Sequence, residues 1–229
     1  MKVLAISTST PRGSAAIVRD DGASVEATYA DLQGHAERLF ESIDSALARA
    51  GASRATLDAV ACDVGPGSFT GVRVGVASGK GIALALGIPL AGVVSLEAMA
   101  MAAFAEGAAA PDDVVIAAID AKKSEIFLAA YRASGDLVLA PCARPLAPEA
   151  FLLPEAPAGA RLVAVGEIAA GLALPDGVRL ARGPALDLPD AAWIGRLALR
   201  RLAAGADGDP EIIEPLYVRA PDATPMAAV

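Results

Sequence analysis

A strand-like apolar run at residues 57–64 leads straight into Gly65-Pro66-Gly67-Ser68-Phe69-Thr70-Gly71, and a long helix of small residues leaves it. Three glycines and a proline in this stretch permit a tight strand-to-helix turn. Ser68 and Thr70 are natural caps for the free N–H groups at the head of the following helix. Such a helix N-terminus suits an anion, so phosphate binding and a merely compact turn both stand as readings.

Two phosphate motifs can be tested on these residues, and both fail. In a dinucleotide fingerprint, Gly65 and Gly67 fit, but Thr70 stands where the third glycine belongs and Gly71 comes one late. The run Gly75-Val76-Ala77-Ser78-Gly79-Lys80-Gly81 imitates a P-loop. It is one residue short between its glycines, lacks Ser or Thr after Lys80, and lies inside a helical pattern.

Residues 2–7, 15–19 and 25–29 read as three strands in a meander, with a turn at 8–14. A helix follows over about 35–50, with Ala36, Leu39, Phe40, Ile43, Ala46, Leu47 and Ala50 on its apolar face and Gly51 ending it. The helix at 71–86 has two apolar faces. Val72, Val76, Gly79, Ala83 and Leu86 lie on one; Val74, Ser78, Gly81 and Ala85 form a nearly opposite ridge, with Arg73, Lys80 and Leu84 along the edge. One face covers a sheet. The other can accept a second helix at close range, from this chain or from a partner, which makes Arg73, Val74, Ser78, Gly81 and Ala85 the interface candidates. A strand at 89–94 and a helix capped by Ser95 and running to 106 complete a layered α/β unit.

Residues 107–111 form a plausible boundary. The strand at 113–119 and the hairpin of 125–131 with 136–140 repeat the opening meander, as in a duplicated lobe. A Pro- and Ala-rich segment, 141–157, precedes a short strand at 162–165 and a weakly patterned region. A helix at about 190–204 carries Trp193, Leu197 and Leu202, and a tail begins at 205. The expected organisation is a first lobe of 1–106 and a smaller second lobe of 107–189.

With 229 residues the chain can bury roughly three quarters of its unfolded surface. Aromatics are 4 % against 55 % hydrophobic residues, so packing rests on Ala, Val and Leu, and few rings remain to stack on single-stranded nucleic acid. The net charge of −8 argues against a chain that grips a phosphate backbone by itself. The longest uncharged stretch, 81–96, contains Gly87 and Pro89 and is shorter than the ~20 residues that span a bilayer, so a soluble, cytoplasmic protein is expected. Cys62 and Cys142 have no metal or redox spacing and read as two buried thiols. The single histidine, His35, cannot build a triad or metal site alone. Asp120 and Glu125 read as solvated or capping carboxylates, and no catalytic residue or metal ligand is assigned.

The stretch from Gly65 through Gly71, continued by Val72-Arg73-Val74-Gly75 and by Lys80-Gly81, resembles the signature of the TsaB (YeaZ) family. The residues Ala5 to Thr10, His35 with Glu37, Ile119 to Ile126, and Leu216-Tyr217-Val218-Arg219 match the family in order along nearly the whole chain. The resemblance implies a reduced actin-like or sugar-kinase ATPase (ASKHA) fold with two lobes, the 190–204 helix packing back on the first. It also implies a non-catalytic subunit that pairs with its paralogue TsaD in forming threonylcarbamoyladenosine on tRNA. TsaE would engage the pair, ATP would be used by the complex with no cofactor bound by this chain alone, and tRNA would be met only through the complex. Alone, the pairing face would close on a second copy as a homodimer. TsaD carries a His-x-x-x-His metal pair in the corresponding first helix; here His35 matches at most one member and Leu39 stands four later. ATPases of this fold place a Mg²⁺-holding carboxylate at the end of strand one, and TsaB relatives often keep Asp; this chain has Ser7. The alternative, an independent small-molecule kinase or ATPase, is weakened by that departure.

Overall fold

The computed structural model describes residues 1–30, 35–153 and 156–219, with 35 and 36 as backbone alone. The first half supplies β1 (Lys2–Ser7), β2 (Arg12–Arg19), β3 (Ser24–Ala30), α1 (His35–Arg49), β4 (Ala59–Asp63), α2 (Phe69–Leu86), β5 (Leu90–Val93) and α3 (Ser95–Ala105). The second adds β6 (Val114–Lys122), β7 (Glu125–Tyr131), β8 (Leu137–Pro145), β9 (Leu162–Val165), β10 (Val178–Leu180), the short α4 (Pro184–Asp187) and α5 (Ala191–Ala203). Sheet order is β3-β2-β1-β4-β5 in the first half and β8-β7-β6-β9-β10 in the second. In each, three strands form an antiparallel meander and two more join in parallel. One topology thus occurs twice, in an α/β architecture of two mixed sheets with flanking helices.

β1 explains why its sequence is apolar without alternation. Leu4 and Ile6 face the layer of α1 and α2, while Val3 and Ala5 face α3 and α5 on the other side. Helices α3 and α5 lie between the two sheets, and one continuous core joins Val18, Ile119, Phe127, Trp193 and Ile194. Small residues set the spacing there. A Cβ on Gly195 of α5 would stand 2.5 Å from the Val18 side chain, so the helix can cross the sheet this closely only as glycine. The outer face of the second sheet is closed by Phe151, packed with Ile116 and Leu128.

Several expected boundaries move. β8 runs on to Pro145, into the segment read as Pro- and Ala-rich loop. It is an edge strand with a register shift opposite Leu128 and Ala130, which is where a strand tolerates Pro141. Phe40, placed on the buried face of α1 by its spacing, is 47 % exposed. Cys62 is buried as expected, but Cys142 is only half-buried. The weakly patterned region after Gly166 holds a 3-10 turn at Glu167–Gly171, then β10 and α4. Among the described residues no helix is long and apolar enough to cross a membrane.

Candidate functional site

The turn of residues 65–71 joins β4 to α2 and receives the loop between β1 and β2. The Ser68 N–H donates to the Ser9 carbonyl at 2.7 Å, and the Thr8 hydroxyl donates to the Gly71 carbonyl at 2.8 Å. A Cβ on Gly67 would fall 2.2 Å from the Ser9 carbonyl oxygen, one on Gly71 2.1 Å from that of Thr8, and one on Gly75 2.3 Å from the Thr8 hydroxyl. Spaced by four, these glycines form a notch along the head of α2 into which the loop sinks. Thr8, Ser9 and Thr10 are at most 4 % exposed. Ser68 is the N-cap, accepting from the Gly71 N–H at 3.4 Å; Thr70 lies inside the first turn and does not share that role.

Under the turn lies a polar cluster that the sequence does not announce. Asp63, at the end of β4, is fully buried. Its carboxylate accepts from the Ser7 hydroxyl at 2.9 Å and from the Thr8 and Ser9 N–H groups at 3.2 Å each, with the Ser95 hydroxyl 3.5 Å away. Burial pushes its carboxyl above the ordinary range, and the hydrogen bonds only partly oppose this. Ser95, expected as a helix cap, is the first residue of α3 and makes no capping bond; its hydroxyl donates instead to that of Ser9 at 3.1 Å. The two loop N–H groups that could meet a phosphate therefore both serve Asp63. Asp63 was missed because its partners lie in distant segments of the chain.

α1 and α2 lie side by side on the outer face of the first sheet. Val72, Val76, Gly79 and Ala83 are buried against it. Of the interface candidates, Gly81 and Ala85 are exposed, Val74 and Ser78 are half-buried, and Val74 packs partly against the core below. A Cβ on Gly81 would meet nothing within 4 Å. Arg73 is exposed but engaged. Its Nε donates to the Tyr217 hydroxyl at 2.8 Å, and its guanidinium lies 3.7 Å above the Phe69 ring. Phe40, Phe69 and Leu84 add large exposed apolar side chains to these two helices, at 47 %, 48 % and 59 %.

The tail does not hang free. Leu90 N–H donates to the Gly208 carbonyl, Lys80 reaches the Glu211 carbonyl, and Ile213 packs into the core beneath α2. A shallow groove of about 460 Å³ between it and α2 is lined by Arg73, Val76, Ala77, Lys80, Ile213 and Tyr217.

The remaining candidates separate. Asp120 pairs with Lys122 and Glu125 with Arg219, so they do not act on one another's proton. The side chain of His35 lies outside the described residues. Leu39 is fully buried in the core under α1. Among the described residues no group of three His, Cys, Asp or Glu side chains is placed to hold a metal.

Comparison with known proteins places this arrangement. The profile of the TsaD family, tRNA N6-adenosine threonylcarbamoyltransferase, matches residues 30–180. An uncharacterised protein of Mycobacterium tuberculosis is 35 % identical over 98 % of this chain and 95 % of its own length. The tRNA threonylcarbamoyladenosine biosynthesis protein TsaB of Escherichia coli is 35 % identical over 58 % of this chain and 55 % of its own. The solved structure of YeaZ from Pseudomonas aeruginosa is 30 % identical and superposes with a TM-score of 0.78 over 94 % of this chain and 99 % of that one. The glycine-notched turn, the twice-used sheet topology and this nearly full-length likeness agree, and the chain belongs to the TsaB (YeaZ) family of tRNA threonylcarbamoyladenosine biosynthesis.

Proposed function

We propose that this chain is a non-catalytic subunit of the threonylcarbamoyladenosine machinery, one that pairs with TsaD through the outer faces of α1 and α2 and holds it in its active shape. The observation that carries this reading is the surface of α2. It leaves Gly81 and Ala85 open beside the large exposed side chain of Leu84, with Phe69 exposed at the head of the same helix, in a chain whose apolar residues are otherwise mostly buried. Small residues let a partner helix approach closely, and aromatic side chains at the margin supply contact area. TsaE would join the pair, and tRNA would be met through the complex, in keeping with the chain's net charge of −8. Two features support the absence of independent catalysis. Leu39 is buried in the core at the position four after His35, and the loop N–H groups of Thr8 and Ser9 are committed to Asp63. In isolation the same face would close on a second copy as a homodimer.

The test is pairing with purified TsaD, followed by light scattering and calorimetry, together with modification of tRNA by the chain, TsaD and TsaE supplied with threonylcarbamoyl adenylate as the group donor. The wild-type chain should form a one-to-one complex and support modification. Gly81→Glu and Ala85→Glu should fold normally and lose both. Folded variants that pair like wild type would remove α2 from the interface. A wild-type chain that ignores TsaD would sink the proposal.

A further inference from the structure

The motif Leu216-Tyr217-Val218-Arg219 has no place in that reading, yet each of its residues holds a different part of the molecule. The Leu216 N–H donates to the Val64 carbonyl at 2.7 Å, and the Leu216 carbonyl lies over Gly65, at 3.3 Å from where its Cβ would be. Tyr217 accepts from Arg73 Nε at 2.8 Å, and its ring stands 5.5 Å from that of Phe69. Val218 packs against the core between the sheets. Arg219 donates to Glu125 at 2.6 Å and to the Ala121 carbonyl at 3.3 Å, both flanking the β6–β7 turn. Four consecutive residues thus join the entrance of the 65–71 turn, the head of α2 and the hairpin of the second sheet.

We propose that Leu216–Arg219 is a clip for the partner-facing end of α2, with Tyr217 as a positioning residue that acts on the partner through Arg73. An exposed arginine loses up to ~2 kcal/mol of rotamer freedom when a partner fixes it. Here the Tyr217 hydroxyl holds Nε and the Phe69 ring supports the guanidinium plane, so much of that loss is incurred on folding. Nε is the inner nitrogen. Fixing it leaves the two terminal amino groups as further donors, in the planar fork that suits a carboxylate. Phe69 and Tyr217 remain 48 % and 47 % exposed around it, an arginine between two rings, which is the composition of interface hot spots. The occupant is the facing helix of TsaD, presenting a carboxylate to Arg73; this rests on the pairing proposed above.

The experiment is a double-mutant cycle on the affinity for TsaD, with the melting temperature of each chain measured in parallel. Tyr217→Phe keeps the ring and loses only the hydroxyl. It should weaken pairing about threefold to tenfold, because the arginine's rotamer freedom would then be lost on binding and not on folding, with at most a small change in melting temperature. Arg73→Ala should weaken pairing more. The double variant should lose no more than Arg73→Ala alone, because Tyr217 acts through that side chain. Pairing of Tyr217→Phe as tight as wild type, or losses that simply add, would overturn the clip and leave the pairing face standing. A wild-type chain that does not bind TsaD would overturn both.

Discussion

The hydroxyl of Ser7 donates to the carboxylate of Asp63 at 2.9 Å, and neither residue is exposed. The ends of β1 and β4 therefore carry one carboxylate between them, with a hydroxyl as its donor. This gives Ser7 a physical reason. An Asp at position 7 would bring a second carboxyl to a fully buried site, and two such groups cannot both ionise at contact distance. Ser7→Asp should destabilise the fold by about 3 kcal/mol or more, and Ser7→Ala by about 1–2 kcal/mol through the lost donor. Urea midpoints at unchanged slope would measure both. A neutral Ser7→Asp would mean that the cluster opens to solvent.

The same carboxyl makes stability depend on pH. Its folded-state pKa is raised by burial, so the folded chain keeps a proton at pH values where the unfolded chain has released it. Unfolding then releases protons, and the contribution is present below the unfolded carboxylate range and lost as pH rises through the folded value. Glu26 and Asp190, at the head of α5, are shifted the same way by burial and add to the slope. Asp63→Asn should be less stable throughout, because an amide nitrogen would face the N–H of Thr8 or Ser9. It should also lose part of the decline as pH rises above the ordinary carboxylate range. Equal slopes in the two proteins would show that Asp63 does not titrate there.

Glycines on α2 should separate by position. Gly67→Ala and Gly71→Ala push a methyl group against the backbone of the β1–β2 loop and should destabilise by about 3 kcal/mol or more, as overpacking against rigid neighbours does. Gly81→Ala meets open space and should stabilise the isolated chain by about 0.5–1 kcal/mol. Thermal melts of the three variants check the order. A Gly81→Ala chain that is more stable yet pairs less tightly would place the partner's backbone at Gly81.

Titration of ATP into the isolated chain should give no saturable heat. The Thr8 and Ser9 N–H groups donate to Asp63, and the Ser9 carbonyl accepts from Ser68. A phosphate at this loop would have to displace all three bonds. Saturable binding at micromolar ATP would revive the kinase reading.

Local spacing made much of the architecture legible. The apolar run of β1 was read as a strand and is one, and of the two apolar faces that the spacing gave α2, the one carrying Val72, Val76, Gly79 and Ala83 is the buried one. Asp190 stands at the helix start it was expected to mark and caps Trp193 N–H at 2.9 Å. Phe40 shows the limit of periodicity: it neighbours the buried Leu39, but the width of the covered stripe depends on how α1 seats on β2 and β3. Ser95 shows another, since a hydroxyl before an apolar run signals a cap only if no stronger acceptor is near.

The sequence by itself determined the elements of the first half, the repeated meander and the family, because these are written in neighbouring residues and in motifs a few positions long. Only the tertiary structure decided that Asp63 is the hub beneath the turn, that the glycines of α2 receive a loop, and that Leu216–Arg219 clips three segments together. Asp63 meets Ser7 across 56 positions and Tyr217 meets Arg73 across 144. Contacts at such separations depend on how the layers stack, and stacking is set by the packing of the whole core.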